Sequence, residues 1–363
     1  MKIDLITLHA IKNYGSVLQT LATQEKFKEY GHEVRVINFI REDALEENLL
    51  KTWCGDNLVK KIIMFPTILR WKKVFNNFLK DNINLTEESY TYEDDFKFFE
   101  SDADLFCTGS DQVWNTKWNN GIIRPLYFSF LDSSKKRFAY ASSFGKSRLE
   151  EWEISETKEL IEKYEAIAVR EDTAVSILQE QYEYKEALQI VDPTLVMPGS
   201  FWRKYSTQSK IKEKYVLIYN LNRSKDFDKF AVNFAKKQGL KLVRFCTRYD
   251  QIFRAGKSIL IPEIYDFITL IDNAEYVITD SFHATAFSLN LNTRPICIYP
   301  KEYGGRISSI LKLTETEQCH LRNYDDFDIV NRSVDFDKVN RIFNQEREKV
   351  DGYLKNIFKS CEK

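Results

Sequence analysis

Short apolar runs alternate with amphipathic stretches along most of the chain, and each run has the length of a buried strand. In the first part of the chain the runs are KIDLITL, EVRVINF, ADLFCTG, RFAYASS, AIAVR and LQIV. Strands separated by helical stretches predict βαβ units, in which parallel strands are buried on both faces. The first part of the chain is therefore expected to form an α/β domain built on a parallel sheet.

The same alternation restarts after residue 200. The runs YVLIYNL, KLVRFC, SILIP, EYVITD and RPICIY follow, with helical patterns over 226–238 and 264–273 between them. The polar stretch 206–214 is typical of a loop between domains. We therefore predict an N-terminal domain over 1–200, a C-terminal domain over 201–333, and a terminal helix within 334–363.

One segment departs from this alternation. Residues 58–80 read LVKKIIMFPTILRWKKVFNNFLK and combine lysine and arginine with large apolar side chains around Pro66. The pattern favours a helical hairpin inserted into the first domain, packed on it with the lysines in solvent. A basic amphipathic helix can also lie on an anionic membrane surface, so peripheral contact with the inner face of a membrane is the second interpretation.

Composition and spacing narrow the possible partners. Lysine and arginine number 53 and aspartate and glutamate 54, so the net charge gives no reason to expect nucleic acid. Six cysteines without a C-x-x-C pair are typical of a reduced, cytoplasmic protein. The N-terminus lacks the apolar core of a signal peptide, and no apolar run reaches the roughly 18 residues of a spanning helix. No histidine or cysteine spacing predicts a metal site, and neither glycine-rich nucleotide motif occurs.

Candidate site residues are those that follow each strand, because ligands of doubly wound sheets bind beyond the carboxyl ends of the strands. After the first run, Asn13, Tyr14, Gly15 and Ser16 lead into a helix. The amides at the start of this helix can hold an anion or a sugar hydroxyl. An ordinary turn with Ser16 as the N-cap is an equally good interpretation.

Two more loops rich in small and polar residues follow the runs ADLFC and RFAYA. Short polar groups at two strand ends are more than helix capping needs, which indicates a binding site. These residues are Gly109, Ser110, Asp111, Gln112, Asn115, Ser142, Ser143 and Gly145.

The run AIAV ends at Arg170, which Glu171 and Asp172 follow. A guanidinium at the carboxyl end of a strand can bind a carboxylate or phosphate through two parallel hydrogen bonds. A surface ion pair is the alternative.

In the second domain the run EYVIT ends in Asp280, Ser281, Phe282 and His283, at the start of the helix ATAFSLN. A helix N-terminus lowers the pKa of a nearby imidazole, whereas an anion or Asp280 raises it, so His283 could exchange protons near neutral pH. A capping or core histidine is the alternative.

Further on, Gly304, Gly305 and Arg306 precede another helix and could face an anion, or else form a simple turn with Arg306 in solvent.

Taken together, these stretches resemble the polysaccharide pyruvyl transferase family along nearly the whole chain. The resemblance rests on the order and spacing of NYGSVLQTLAT, CTGSDQVWN, ASSFG, AVREDTAVSIL, VDPTLV, TDSFHATAFSLNLNTRPICI and GGRISSIL. It implies two Rossmann-like domains facing across a cleft, as in GT-B glycosyltransferases. It also implies a bacterial enzyme of exopolysaccharide or capsule biosynthesis that transfers pyruvate from phosphoenolpyruvate to two hydroxyls of a sugar, forming a ketal and releasing phosphate.

The resemblance also assigns roles to residues. It makes His283 the general acid or a phosphate ligand, and Arg170, Ser281, Gly305 and Arg306 the donor-binding residues. The loops with Asn13, Tyr14, Gly15, Ser110 and Ser143 would face the acceptor sugar, which can be linked to a lipid, and Asp111 is the candidate base. No cofactor or metal is implied beyond phosphoenolpyruvate as co-substrate.

One residue departs from the family pattern. Many members have arginine two residues before the histidine, where this chain has Ser281. Either Arg306, Arg294 or Lys301 replaces that cation, or this branch binds its donor differently. A GT-B glycosyltransferase that uses a nucleotide sugar and an inactive sugar-binding relative are the alternative functions.

Overall fold

The computed structural model describes residues 1–209, 211–222, 224–300 and 304–361. The chain divides into two compact units. The first unit consists of Met1–Asn48, Asn77–Val196 and Gln345–Lys363, and the second of Leu49–Asn76 and Met197–Asn344.

The first unit is built on a parallel sheet. Its strands are β1 (Lys2–Ile6), β2 (Glu33–Phe39), β3 (Leu85–Tyr90), β4 (Leu105–Thr108), β5 (Arg137–Ser142), β6 (Ala166–Val169) and β7 (Leu188–Gln189). They pair in the order β3-β2-β1-β4-β5-β6-β7. The central strands β4 and β5 are buried throughout, which explains why their sequences are largely apolar.

The second unit has its own parallel sheet. Its strands are β8 (Tyr215–Tyr219), β9 (Lys241–Cys246), β10 (Lys257–Leu260), β11 (Tyr276–Thr279) and β12 (Arg294–Cys297), in the order β10-β9-β8-β11-β12. Two sheets of parallel strands with interposed helices confirm the predicted α/β class.

Helices connect the strands in both units. They are α1 (Tyr14–Glu29), α2 (Leu49–Cys54), α3 (Leu58–Asn82), α4 (Thr116–Asn119), α5 (Glu151–Ile161), α6 (Asp172–Gln181), α7 (Pro193–Val196), α8 (Gly199–Arg203), α9 (Lys225–Gln238), α10 (Ile264–Asp272), α11 (Phe282–Asn290), α12 (Gly305–Leu313) and α13 (Phe336–Cys361). The last of these is the predicted terminal helix. No helix among the described residues is long and apolar enough to cross a bilayer.

The basic segment 58–80 differs from its prediction in two ways. It forms one continuous helix, α3, with Pro66 inside it, and not a hairpin. Pro66 lies on an exposed side, where water can bind the carbonyl that the proline leaves without a donor. The segment also packs within the second unit, because Arg70 Nε donates to Ile261 O at 3.0 Å and Trp71 Nε1 donates to Thr247 O at 2.7 Å.

Candidate active site

In each unit the strand order reverses beside the first strand, between β1 and β4 in the first unit and between β8 and β11 in the second. Such a reversal opens a crevice beyond the carboxyl ends of the central strands, and ligands of doubly wound sheets bind there. The predicted site residues follow these strands and their neighbours. Each unit therefore has one candidate edge.

At the first edge, α1 begins with a side-chain cap. Asn13 Oδ1 accepts hydrogen bonds from Gly15 N at 2.8 Å and from Ser16 N at 3.4 Å, so the N-cap is Asn13 and the alternative with Ser16 as cap is wrong. Ser16 Oγ instead donates to Asp111 Oδ2 at 2.6 Å. The start of α1 is thereby tied to the loop that follows β4.

Asp111 is held in an uncommon backbone conformation. Its φ is 76°, in the left-handed region, and its Oδ1 accepts from Gln112 N at 2.9 Å. It pairs with Ser142 across an isolated bridge, next to a bulge in β5 where Ala141 also has a positive φ of 55°. A non-glycine residue in this region costs about 1 to 2 kcal/mol. Such strain clusters at functional sites, and Asp111 remains slightly accessible at 7% exposure.

Arg170 is surrounded by carboxylates. Its Nη1 donates to Asp192 Oδ2 at 2.8 Å, its Nε donates to Glu171 Oε1 at 3.0 Å, and its Nη2 lies 3.9 Å from Asp111 Oδ1. Burial alone would lower the pKa of this guanidinium, but the three carboxylates outweigh burial and raise it. Removing one partner of a buried charge network typically costs about 3 to 5 kcal/mol. The arrangement fits a residue that fixes Asp111 and Asp192 in place.

Several predicted acceptor contacts are enclosed. Tyr14, Ser110 and Ser143 are each at most 1% exposed. Ser110 Oγ donates to Asp192 Oδ2 at 3.3 Å, and Ser143 Oγ accepts from Gly145 N at 3.0 Å. Enclosed side chains cannot touch a sugar in this conformation, so these residues build the loops that carry Asp111.

At the second edge, Asp280 follows β11 and binds the loop that follows β8. Its carboxylate accepts from Leu221 N at 2.7 Å and from Asn222 N at 2.9 Å. Burial raises the pKa of Asp280, although these backbone hydrogen bonds lower it. Ser281 is the N-cap of α11, and its Oγ accepts from Ala284 N at 3.4 Å. The serine that replaces the family arginine therefore has a structural role.

Two helix N-termini follow the neighbouring strands β11 and β12 of the second sheet. His283 is the second residue of α11 and is 6% exposed, and its ring centroid lies 5.2 Å from that of Phe282. Gly305 and Arg306 are the first two residues of α12, where Gly305 is exposed and Arg306 half-buried. Parallel neighbours end at the same edge of a sheet, so α11, which begins three residues after β11, starts there with the positive end of its dipole, and α12 begins eight residues after β12.

Arg294 is not placed to replace the missing arginine. It starts β12, at the opposite edge of the sheet from His283. Its Nη2 donates to Val330 O and to Arg332 O, each at 2.8 Å. Lys301 lies outside the described residues. Of the three cations considered, Arg306 is therefore the one that the described structure places after a strand end, in the first turn of a helix.

Among the described residues no group of three or more histidine, cysteine, aspartate or glutamate side chains could hold a metal ion.

Sequence reasoning missed two residues of the first edge. Asp192, in the signature VDPTLV, is 1% exposed and accepts from Arg170, Ser110 and Thr194. Its position directly after the run LQIV was the available signal.

His9, beyond the end of β1, is fully buried. Burial lowers the pKa of its imidazole to about 4, although a hydrogen bond with Asn38 raises that pKa.

Comparison with known proteins adds independent findings. A family model described as polysaccharide pyruvyl transferase matches residues 13–302. The match extends from the N-cap of α1 past the end of β12 and stops before Gly305 and Arg306. No curated protein has a statistically significant match to this chain.

Solved structures of similar fold span nearly the whole chain. A protein assigned as a UDP-N-acetylglucosamine 2-epimerase from Listeria monocytogenes is 11% identical, with 99% of this chain and 97% of that chain covered and a TM-score of 0.54. S. aureus MnaA with UDP is 11% identical, with 99% and 96% covered and a TM-score of 0.51. An alpha-glucosyltransferase in complex with UDP is 12% identical, with both chains covered completely and a TM-score of 0.50. At these identities the likeness shows the fold alone, and the predicted GT-B-like fold is confirmed.

Proposed function

The chain belongs to the polysaccharide pyruvyl transferase family, and from this membership we propose that it transfers pyruvate from phosphoenolpyruvate to a sugar diol in the cytoplasm. The acceptor is a hexose of the galactose or N-acetylhexosamine type in a surface or capsular polysaccharide precursor, free or linked to a lipid. Its 4- and 6-hydroxyls form a cyclic ketal, and inorganic phosphate is released. Phosphoenolpyruvate is a co-substrate, and no cofactor is proposed.

The observation that carries this proposal is the pair of helix N-termini in the second unit. Phosphoenolpyruvate carries a phosphate and a carboxylate, so its site needs backbone amides and cations. The starts of α11 and α12 supply amides, and Arg306 supplies a guanidinium. We assign the donor to this edge, with Gly305 allowing close approach because no atom lies within 4 Å of the position a Cβ would take. Ser281 contributes by capping α11.

His283 is the proposed general acid. Its proton goes to the methylene carbon of phosphoenolpyruvate while the first acceptor hydroxyl attacks C2. The bond between C2 and the phosphate oxygen then breaks, and the second hydroxyl bonds to C2 and closes the ketal ring. The first hydroxyl proton passes to the base and from it to water, the second leaves with the phosphate, and His283 takes up a proton from water. Asp111 is the proposed base for the attacking hydroxyl, on the acceptor-binding first unit.

We assign Arg170 to the positioning of Asp111, in place of the donor contact that the sequence predicted, because three carboxylates already neutralise its guanidinium. Ser110, Ser143 and Tyr14 are likewise assigned to the loops. Asn13, which is half-buried, remains the proposed acceptor contact at the start of α1, whereas Gly15 is buried and is assigned to the start of the helix.

The test of the reaction is phosphate release from phosphoenolpyruvate by the full-length protein with galactoside and N-acetylhexosaminide acceptors, together with detection of acid-labile pyruvate on the sugar. We expect His283→Ala to lose at least about a hundredfold in kcat, the usual contribution of general acid catalysis, and to keep its circular dichroism spectrum. Full activity of this variant would refute the general-acid role.

Donor binding is tested separately, by the rise in Tm that phosphoenolpyruvate causes. Arg306→Met should abolish that rise and Arg306→Lys should retain part of it. Lys312→Gln is the matched control, because Lys312 is exposed in the last turn of the same helix. Stabilisation by uridine or guanosine diphosphate but not by phosphoenolpyruvate would favour a nucleotide-sugar transferase instead. Binding of sugar without any turnover would favour an inactive relative.

The positioning role of Arg170 has its own readout. Arg170→Lys keeps the charge but cannot hold Asp192 and Glu171 while placing a cationic nitrogen 3.9 Å from Asp111 Oδ1, so the position of the charge relative to Asp111 should change. We expect the acidic limb of the kcat/KM profile to shift while stabilisation by phosphoenolpyruvate is retained. Loss of that stabilisation with an unchanged pH profile would restore the original donor-binding role.

A further inference from the structure

The first three turns of α3 expose large apolar side chains to water. Leu58, Ile62, Phe65 and Leu69 follow one another at helical spacing and form a single stripe. Their exposed fractions are 72%, 74%, 50% and 52%. We call this stripe the α3 face. A helix on a protein surface normally has polar residues on its water-facing side, so the α3 face needs a partner to be explained.

The α3 face is not a misplaced core face. The opposite side of the same helix is buried in its own unit through Met64, Ile68, Trp71 and Val74, each at most 8% exposed. The hydrogen bond from Trp71 to Thr247 O fixes the rotation of the helix. Turning α3 to hide the stripe would therefore expose a core of similar size.

Two more large side chains are exposed in elements that pack on the buried side of α3. Trp53 in α2 is 47% exposed, with its ring centroid 5.0 Å from that of Trp71. In addition, Tyr249 N donates to Thr67 Oγ1 at 3.1 Å, which brings a short 3-10 turn alongside α3. In that turn Phe253 is 94% exposed. Tryptophan and phenylalanine are common on the apolar face of helices that lie in the interface region of a bilayer.

The segment that carries the α3 face is rich in positive charge. Residues 49–80 contain seven lysines and arginines, and Asp56 is their only acidic residue. Arg70 is paired with Glu263 at 2.7 Å, and the other six cations of the segment are lysines. Lys73 continues the stripe by one turn, at i+4 from Leu69, and is exposed. An apolar stripe bordered by lysines is complementary to anionic lipid headgroups over acyl chains.

We propose that the α3 face docks on the surface of a bilayer that contains anionic lipid, with its apolar side chains in the boundary between headgroups and acyl chains. A second copy of the chain is a poorer partner, because two α3 faces would bring together two segments that each contain seven lysines and arginines and one acid. The docking goes beyond the transfer reaction, and it would bring the enzyme to a lipid-linked acceptor.

The test is sedimentation of the full-length protein with vesicles of phosphatidylcholine, with and without phosphatidylglycerol. We expect binding to the vesicles that contain phosphatidylglycerol and weaker binding as salt rises. Lys61→Gln with Lys73→Gln should weaken binding about 25-fold, at about fivefold per lysine. Ile62→Ser with Phe65→Ser should weaken it at least about tenfold.

Matched controls lie on the first unit. Trp152→Ser removes an aromatic side chain that is 44% exposed, and Lys163→Gln with Lys185→Gln removes two exposed lysines. Both proteins should bind vesicles as the wild type does. Equal loss in the controls and the α3 variants would overturn the proposal, as would failure of the wild type to bind.

Sedimentation velocity without lipid tests the second-copy alternative. A wild-type dimer that the Ile62→Ser, Phe65→Ser protein dissociates, with no vesicle binding by either, would assign the face to self-association and overturn the proposal. No substrate is present in these experiments, so a negative result would leave the proposed transfer reaction standing.

Discussion

His9 lies beyond the carboxyl end of β1 with no exposed surface, and Asn38 Oδ1 is 3.3 Å from its Nε2. Burial lowers the pKa of its imidazole to about 4, against an ordinary value of about 6.5. In the native protein the ring is therefore neutral at pH 5, whereas in the unfolded chain it is protonated. We expect the stability that depends on the neutral ring to be complete above about pH 6.5 and to fall as the pH drops towards 4.

The size of this effect follows from the two pKa values. Between pH 7.5 and pH 5.0 the unfolded chain takes up nearly one proton at this position and the native protein takes up almost none. The linkage relation converts this difference to a loss of about 2 kcal/mol in the free energy of unfolding. His9→Gln removes the titration and keeps a side chain that can hydrogen-bond Asn38. It should therefore lose about 2 kcal/mol less than the wild type over this range.

Urea denaturation at the two pH values measures the difference, followed by circular dichroism and by tryptophan fluorescence. Carboxylates that titrate over the same range contribute equally to both proteins, so the comparison isolates His9. The reasoning would be refuted if the wild type and His9→Gln lost the same stability between pH 7.5 and 5.0. A lower stability of the variant at both pH values, by a constant amount, would indicate a packing effect alone.

Three further changes probe the candidate site and the helices, and urea denaturation measures each of them. Gly145→Ala should lower the free energy of unfolding by roughly 2 to 4 kcal/mol, because φ is +61° and the added Cβ would lie 2.5 Å from Gln112 Oε1. An unchanged free energy of unfolding would show that the loop can rearrange. Gly352→Ala, inside α13 with nothing within 4 Å, should instead stabilise by about 1 kcal/mol, and a loss would contradict the helix interior seen there. Ser281→Ala should cost about 1 kcal/mol through the lost cap of α11, and Ser281→Gly only a few tenths; equal costs would mean that the capping bond contributes little.

Most strands could be predicted because burial on both faces leaves a mark in the sequence. β4 and β11 have apolar runs of strand length between helical patterns, and the structure has strands at both places. β3 was missed because it is an edge strand with the sequence LTEESY, in which three consecutive residues are exposed. An edge strand is specified by pairing with its neighbour, and that pairing leaves little trace in hydrophobicity.

The candidate site could be predicted in outline but not in its contacts. The rule that ligands bind beyond strand ends identified the loops with Asp111, Arg170 and His283 from the sequence alone. It could not show that Arg170 is enclosed by acids from three separate places in the chain. The sequence left open whether Ser16 caps α1, and the structure shows that Asn13 has that role. The general-acid role of His283 stays a prediction.

The sequence by itself determined the elements, their parallel arrangement and the loops in which the chemistry is expected, because local hydrophobic periodicity and the ends of strands depend on neighbouring residues in the chain. Only the tertiary structure decided which polar groups meet, as with Ser16 and Asp111, and which side of α3 faces water. The sequence shows which face of a helix is apolar, but the residues that bury this face come from a distant segment of the chain. The α3 face is apolar in the sequence and uncovered in the fold, and that combination predicts its docking on a membrane.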